Sequence, residues 1–244
     1  MNVRITLATT RRILAQLRHD HRTVGLLIGV PSLLMVLLRY VIDNPLAFDR
    51  FGPMLLGLFP FIVMFIVTSV GTLRERTGGT LERLMTTPLG KLDLLVGYAL
   101  AFGALALVQV GIVTAISMTW LGLDLAGPLW ALVVVAVLDA LLGMALGLFA
   151  SAFARTEFQA VQFMPAFVLP QTLLCGIIVA RDQMANWLEW ISNVLPLSYA
   201  VEAMQRLTGE ASVSGTLVRD MVVIAGCTAL ALALGAATLR RRTP

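Results

Sequence analysis

Charged side chains are scarce in this sequence. Asp, Glu, Lys and Arg make up 13% of its 244 residues, while 58% are hydrophobic. A soluble domain carries about a quarter charged residues, so this composition cannot build a water-facing surface, and lipid must be the main solvent. Cysteine is limited to Cys175 and Cys227, each inside an apolar run. They read as buried thiols rather than as a disulfide or a metal pair. Histidine is limited to His19 and His21, near the N-terminus. No Ser/His, His/Glu or Asp/Asp constellation occurs in the apolar stretches, which makes an intramembrane enzyme the least favoured class. There is no G-x-x-x-x-G-K-[ST] phosphate loop, and Gly78-Gly79 lacks the lysine; the chain cannot hydrolyse ATP alone. The first 22 residues hold five arginines and no apolar centre, unlike a cleavable signal peptide. A formal charge of +4 would raise the question of nucleic acid in a soluble protein. In a membrane protein its placement along the chain is what matters, and no nucleic-acid partner is expected.

What the chain has in abundance is long apolar runs. A helix needs about 20 mostly apolar residues to cross the hydrocarbon core. Six stretches qualify: Thr23 to Ile42, Phe51 to Leu73, Leu94 to Leu123, about Leu129 to Phe153, Phe158 to Ala180, and about Met221 to Leu239. Their continuous apolarity favours helices over a barrel. With six spans, Arg4, Arg11, Arg12, Arg18, Arg22, Arg74, Arg76, Arg83, Lys91, Arg155, Arg240, Arg241 and Arg242 fall on one side. That is thirteen of the 18 basic residues, and the positive-inside rule makes that side the cytosol. Trp120, Trp130, Trp187 and Trp190 fall at or beyond the opposite interface, where indoles prefer to sit. The expected fold is therefore an all-α membrane protein of six transmembrane helices, residues 23–244, with both termini cytoplasmic.

Residues 1–22 stand apart from the spans. Val3, Leu7, Leu14 and Leu17 recur at helical spacing beside a stripe of Arg4, Arg11 and Arg18. This predicts an amphipathic helix on the inner leaflet, its arginines meeting anionic lipid; a solvated leader is the plainer reading. Between spans two and three, Gly78 and Gly79 break the preceding helix, Thr80 can cap a short helix through Met85, and Pro88 marks its end. Such dense punctuation favours a displayed docking helix over an ordinary loop. On the outer side, Arg181 to Gly215 holds an apolar cluster of Trp187, Leu188, Trp190, Ile191, Val194 and Leu195, followed by Pro196. Short helices dipping into the leaflet and one amphipathic helix lying flat both fit this pattern.

The run Glu75-Arg76-Thr77-Gly78-Gly79-Thr80-Leu81-Glu82, with Thr86-Thr87-Pro88, resembles the cytoplasmic motif of ABC-2 type permeases, the membrane subunits of many bacterial ABC exporters. Thr77 stands where that motif usually has an acid. Pro196-Leu197-Ser198-Tyr199 followed by Gln205 resembles the end of the family's C-terminal signature. Upstream, Leu169, Cys175, Gly176, Ile178, Ala185 and Asn186 also fit, and Thr172 departs from an apolar position. The resemblance covers essentially the whole chain. It implies that the helix around Thr80 to Met85 is a coupling helix seated in a partner ATPase. Glu75, Arg76, Gly79, Thr80, Leu81, Glu82, Arg83, Thr86 and Pro88 would then carry the contact. It also implies two ATPase copies that bind ATP and Mg, no cofactor on this chain, a second permease copy or a related permease, and a place in the bacterial inner membrane. The outer segment would be re-entrant half-helices forming a gate, with Pro170, Trp187, Trp190, Pro196 and Tyr199 in it.

Within the spans, Asp139 lies midway along the fourth, where a carboxylate costs several kcal/mol unless paired, hydrated or protonated. It could line a substrate path or a dimer interface, or serve as a structural polar contact. Gln109, Gln162 and Gln171 are milder candidates for the same path, and amides commonly bridge helices. Pro165 and Pro170 are expected to kink span five, and Gly143 and Gly147 permit close packing. The expected function is export of a hydrophobic or amphipathic compound, such as a drug, an antibiotic or a lipid. The alternatives are a secondary transporter, which usually shows repeats and midplane ion ligands, and a membrane scaffold or biogenesis factor.

Overall fold

A computed structural model describes residues 3–79 and 90–238. The described residues form nine α-helices: α1 Val3–His19, α2 His21–Ile42, α3 Pro45–Thr77, α4 Lys91–Thr119, α5 Leu129–Ser151, α6 Glu157–Leu174, α7 Asn186–Val194, α8 Pro196–Gly209 and α9 Gly215–Thr238, with a turn of 3₁₀ helix at Arg181–Gln183. Local chemistry sets the boundaries. Asp20 caps α2 by accepting from Thr23 N at 3.1 Å and from the Thr23 hydroxyl at 2.6 Å. Asp43, with φ of 40°, closes the same helix in the left-handed region and donates its N–H to Arg39 O. Asn44 caps α3 with Pro45 in its first turn, Thr156 caps α6 through Gln159 N, and α8 starts on Pro196.

Five helices are long and apolar enough to cross a membrane: α2, α3, α4, α5 and α9. The fifth predicted span differs from expectation. It is helical only to Leu174, six residues short of Ala180, and it carries Pro165 and Pro170 together with Glu157, Gln159, Gln162 and Gln171. Those residues keep it below the apolarity of the other five. The last span begins at Gly215, six residues before Met221, because Ser214 accepts from Leu217 N and starts the helix early.

The centre of the bundle is the α3–α5 pair. More than half of the apolar stretch of each is buried, against 17% for α2 and 22% for α9, which lie outside. Gly143 and Gly147 bring the two axes together: a Cβ at Gly143 would lie 2.2 Å from Phe61 O, and one at Gly147 would lie 2.3 Å from Phe65 O. The small-residue spacing thus serves close approach of two backbones. Around this pair lie two apolar clusters. One holds Phe48, Met54, Phe61, Leu132, Leu197 and Met204. The other holds Leu94, Phe102, Met144, Ile13 and Leu27, with Leu232 and Ala236 packed on it. The N-terminal helix and the end of α9 therefore share one end of the bundle. At the other end, Arg39 Nε donates to Leu121 O and Gly127 N to Leu207 O. All four tryptophans are exposed, at the end of α4, the start of α5 and along α7.

Candidate functional site

At the first end, the last turn of α3 is a junction. Arg74 makes a two-pronged bond to Glu157, Nε to Oε1 and Nη2 to Oε2, both 2.8 Å, and so ties α3 to the start of α6. The adjacent residue Glu75 points elsewhere. It accepts a hydrogen bond from the Tyr98 hydroxyl of α4 and lies 3.5 Å from Arg12 of α1. Two consecutive residues, about 100° apart on the helix, thereby engage three other helices. Arg76 is half-buried, and its Nε and Nη2 have no hydrogen-bond partner. Gly79 has a φ of 69°, a left-handed conformation that stops α3. Thr80, Leu81, Glu82, Arg83, Thr86 and Pro88, with the expected coupling helix, lie outside the described residues.

α1 lies against the start of α4 through small polar residues as well as apolar ones, Ile13 with Leu14 and Leu17 beside it. Thr6 donates to Asp93 and Thr10 to Gly97 O, both at 3.3 Å, and Thr6, Thr9 and Ile13 are buried. Val3 and Leu7 point away from the protein, and Arg11 and Arg18 are exposed.

In the middle of the bundle no hydrogen bond joins the four expected path residues. Asp139 is fully buried, with neither carboxylate oxygen hydrogen-bonded; a Cβ at Gly57 would lie 3.7 Å from its Oδ2 and 3.4 Å from Met204 Cε. Gln109 is equally buried, and its amide has no partner. Gln171 is buried and donates to Phe167 O of its own helix, leaving Oε1 unsatisfied. Gln162 faces outward.

At the far end, α6 stops at a turn whose carbonyls are taken up by the two short helices. Ser192 donates to Leu174 O at 2.7 Å, and Gln205 Nε2 to Gly176 O at 3.3 Å. Gly176 has a φ of 97°. Tyr199 donates to Asn193 O at 2.7 Å. Gln205 thus holds the turn after α6 and Tyr199 ties α8 to the end of α7, and Leu197 and Ser198 are buried beside them. Of the expected gate residues, Pro170 is exposed on α6, Pro196 opens α8, and Trp187 and Trp190 stand on the exposed face of α7. α8 packs into the bundle: Leu197, Ala200, Val201, Ala203, Met204 and Leu207 are buried, in the same apolar cluster as residues of α3, α5 and α9.

A charge network crosses this end. Glu202 of α8 accepts from Arg181 at 2.7 Å and from Arg206 at 2.6 Å. Arg206 reaches Glu210 at 3.5 Å and the fully buried Asp220 of α9 at 3.8 Å, and Arg219 bonds Asp220 at 2.9 Å. The bond to Glu202 holds the Arg206 guanidinium pKa above its ordinary value. The network borders an open cavity of about 830 Å³. Sequence reasoning missed it, although Glu202, Arg206 and Glu210 at successive i, i+4 positions are a legible signal.

A bundle of long apolar helices with a junction at one end and a charged, partly buried helical hairpin at the other defines a multi-pass membrane protein. Residues 4–207 match the ABC-2 type transporter family, and the chain belongs to that family, whose membrane permeases lack an ATPase domain. It is 28% identical over 155 residues to the probable multidrug ABC transporter permease YbhR of Escherichia coli, covering 64% of this chain and 42% of that one. It is 27% identical over 168 residues to the linearmycin resistance permease protein LnrN of Bacillus subtilis, covering 68% and 42%. It is also 28% identical over 157 residues to ABC transporter G family member 20 of Dictyostelium discoideum, covering 64% and 22%. The chain spans less than half the length of these relatives.

Proposed function

We propose that this chain is the membrane permease of an ATP-driven exporter, acting with a second permease copy and two ATPase subunits in a bacterial cytoplasmic membrane. In this reading α2 to α6 and α9 make six crossings, α6 being the short, proline-bearing one, and both termini face the cytosol. α1 lies at the inner interface. Its outward Val3 and Leu7, beside exposed Arg11 and Arg18, suit a headgroup boundary. The hairpin α7–α8 serves as the outer gate.

The observation that carries the reading is the junction at Arg74 and Glu75. It immediately precedes the motif that would dock on the ATPase. A push there passes through Glu157 to α6, through Tyr98 to α4 and through Arg12 to α1. ATP binding and hydrolysis belong to the partner, and this chain supplies the lever. Gln109, Asp139, Gln162 and Gln171 are the polar positions proposed for the path or the dimer interface. The cargo is a hydrophobic or amphipathic compound; the names of the multidrug and linearmycin resistance relatives support that class.

Co-purification of the tagged full chain with its ATPase tests the reading, together with ATP turnover of the reconstituted complex across a drug and lipid panel. Glu82→Ala should lower stimulated turnover while leaving the permease folded. No co-isolated ATPase, together with transport unaffected by Glu82→Ala, would refute it.

A further inference from the structure

We propose that the open cavity at the α7–α8 end is a binding site for organic cations, of the kind in which an ammonium, phosphonium or similar centre is attached to an apolar body. Three guanidiniums line it, and each is already matched. Arg181 and Arg206 share Glu202, Arg206 also meets Glu210 and Asp220, and Arg219 is held by Asp220. Their charge is thus answered by acids, although Arg206 Nε is left without a hydrogen-bond acceptor. The acids are in excess. Asp182 and Glu189 also line the cavity, and neither is engaged by an ion pair or a side-chain hydrogen bond among the described residues. Behind the wall, Asp220 is fully buried, and its Oδ2 accepts no hydrogen bond. The negative charge there is only partly answered, so the unmet electrostatic demand of the cavity is for positive charge.

The rest of the lining suits the body of such a ligand. Tyr199 lies in the wall with Arg181 stacked over its ring at 5.6 Å, which shows the ring accepting a delocalised cation. Ala180 and Val223 add apolar surface. The volume of about 830 Å³ falls within the range of about 300–1,000 Å³ of drug-sized sites.

As a step on an export path the site rests on the proposed function; as a binding site it is measured without it. The experiment is equilibrium binding of radiolabelled tetraphenylphosphonium to the purified full chain in nanodiscs, with empty nanodiscs subtracted. Tetraphenylborate, of the same shape and opposite charge, is the control. Saturable binding of the cation and none of the anion is expected. Glu189→Gln should weaken binding by about tenfold, the size of one partly screened charge contact. Glu189→Asp should stay within about threefold of the parent. Glu189 holds no other element in place, so thermal unfolding of both variants should match the parent. Equal affinity in Glu189→Gln, equal saturable binding of tetraphenylborate, or no saturable binding of the cation each overturns the proposal. Cation binding by a chain that never associates with an ATPase would leave this site standing and remove the export reading.

Discussion

Gly143→Ala is the sharpest test of how this bundle is held together. The added methyl would lie 2.2 Å from Phe61 O and 3.0 Å from Phe61 Cα, atoms of the neighbouring helix backbone that no rotamer change can move aside. Contacts under 3.0 Å essentially never occur for a real Cβ, so α3 and α5 must part by about 1 Å at that point. A gap of that size forfeits a quarter to a half of each nearby dispersion contact, and overpacking of this kind costs ~3 kcal/mol. The better helix propensity of alanine returns up to ~1 kcal/mol. The net loss of ~2 kcal/mol corresponds to a Tm about 4–8 °C lower for a chain of this length. The assay is thermal unfolding of the purified protein in detergent, followed by the loss of monodisperse material. Gly111→Ala and Gly226→Ala are internal controls. Both lie in helices and have no heavy atom within 4 Å of the added Cβ, so the same chemical change there should leave Tm unchanged or raise it slightly. Gly143→Ala with Gly147→Ala should cost less than the sum, since one separation of the helices accommodates both methyls. A Gly143 variant that unfolds with the parent, or a Gly111 variant that falls as far, would refute the close-packing argument.

Two further outcomes follow from single side chains. Glu202→Gln removes the charge shared by Arg181 and Arg206, all three side chains being mostly shielded from solvent; a loss of ~2 kcal/mol is expected, with faster proteolysis between α6 and α9, and an unchanged digestion pattern would show that the network holds nothing. Asp139→Asn should be at least as stable as the parent, because the parent's buried carboxylate accepts no hydrogen bond and an amide is cheaper to bury than a charge; a large fall in Tm would reveal a partner that the fold does not show.

The interest of the far-end network lies in how unequally its bonds are distributed. Within the α6–α7–α8 unit the contacts are short: Ser192 to Leu174 O at 2.7 Å, Arg181 to Glu202 at 2.7 Å and Tyr199 to Asn193 O at 2.7 Å. Across the seam to α9 the link from Arg206 to Asp220 is 3.8 Å.

How much was legible beforehand depended on whether a feature is decided residue by residue. The apolar runs predict α2 to α5 and α9, because hydrocarbon acts on each stretch separately and only a helix satisfies its own backbone there. The Gly143/Gly147 spacing was readable as close packing, and the amphipathic N-terminal helix was readable from its period. Its protein-facing side was not. Thr6, Thr9 and Ile13 turn inward while Val3 and Leu7 turn out, since the start of α4 comes so close that a Cβ at Gly97 would lie 2.8 Å from Thr9 Cγ2. The end of α6 at Leu174 was also beyond a hydropathy reading, because it is set by Ser192 and Gln205 reaching back from later helices.

The sequence by itself therefore determined the solvent, the helical class and the family, since composition, periodicity and local motifs are properties of segments. Only the tertiary structure decided that Glu75 meets Arg12 and Tyr98, that Arg74 meets Glu157, and that Glu202, Arg206 and Asp220 close one network around a cavity. Those partners are separated by up to 83 residues. Charge pairing at that range is chosen by which helix ends the packing brings together, not by anything written in the neighbouring residues.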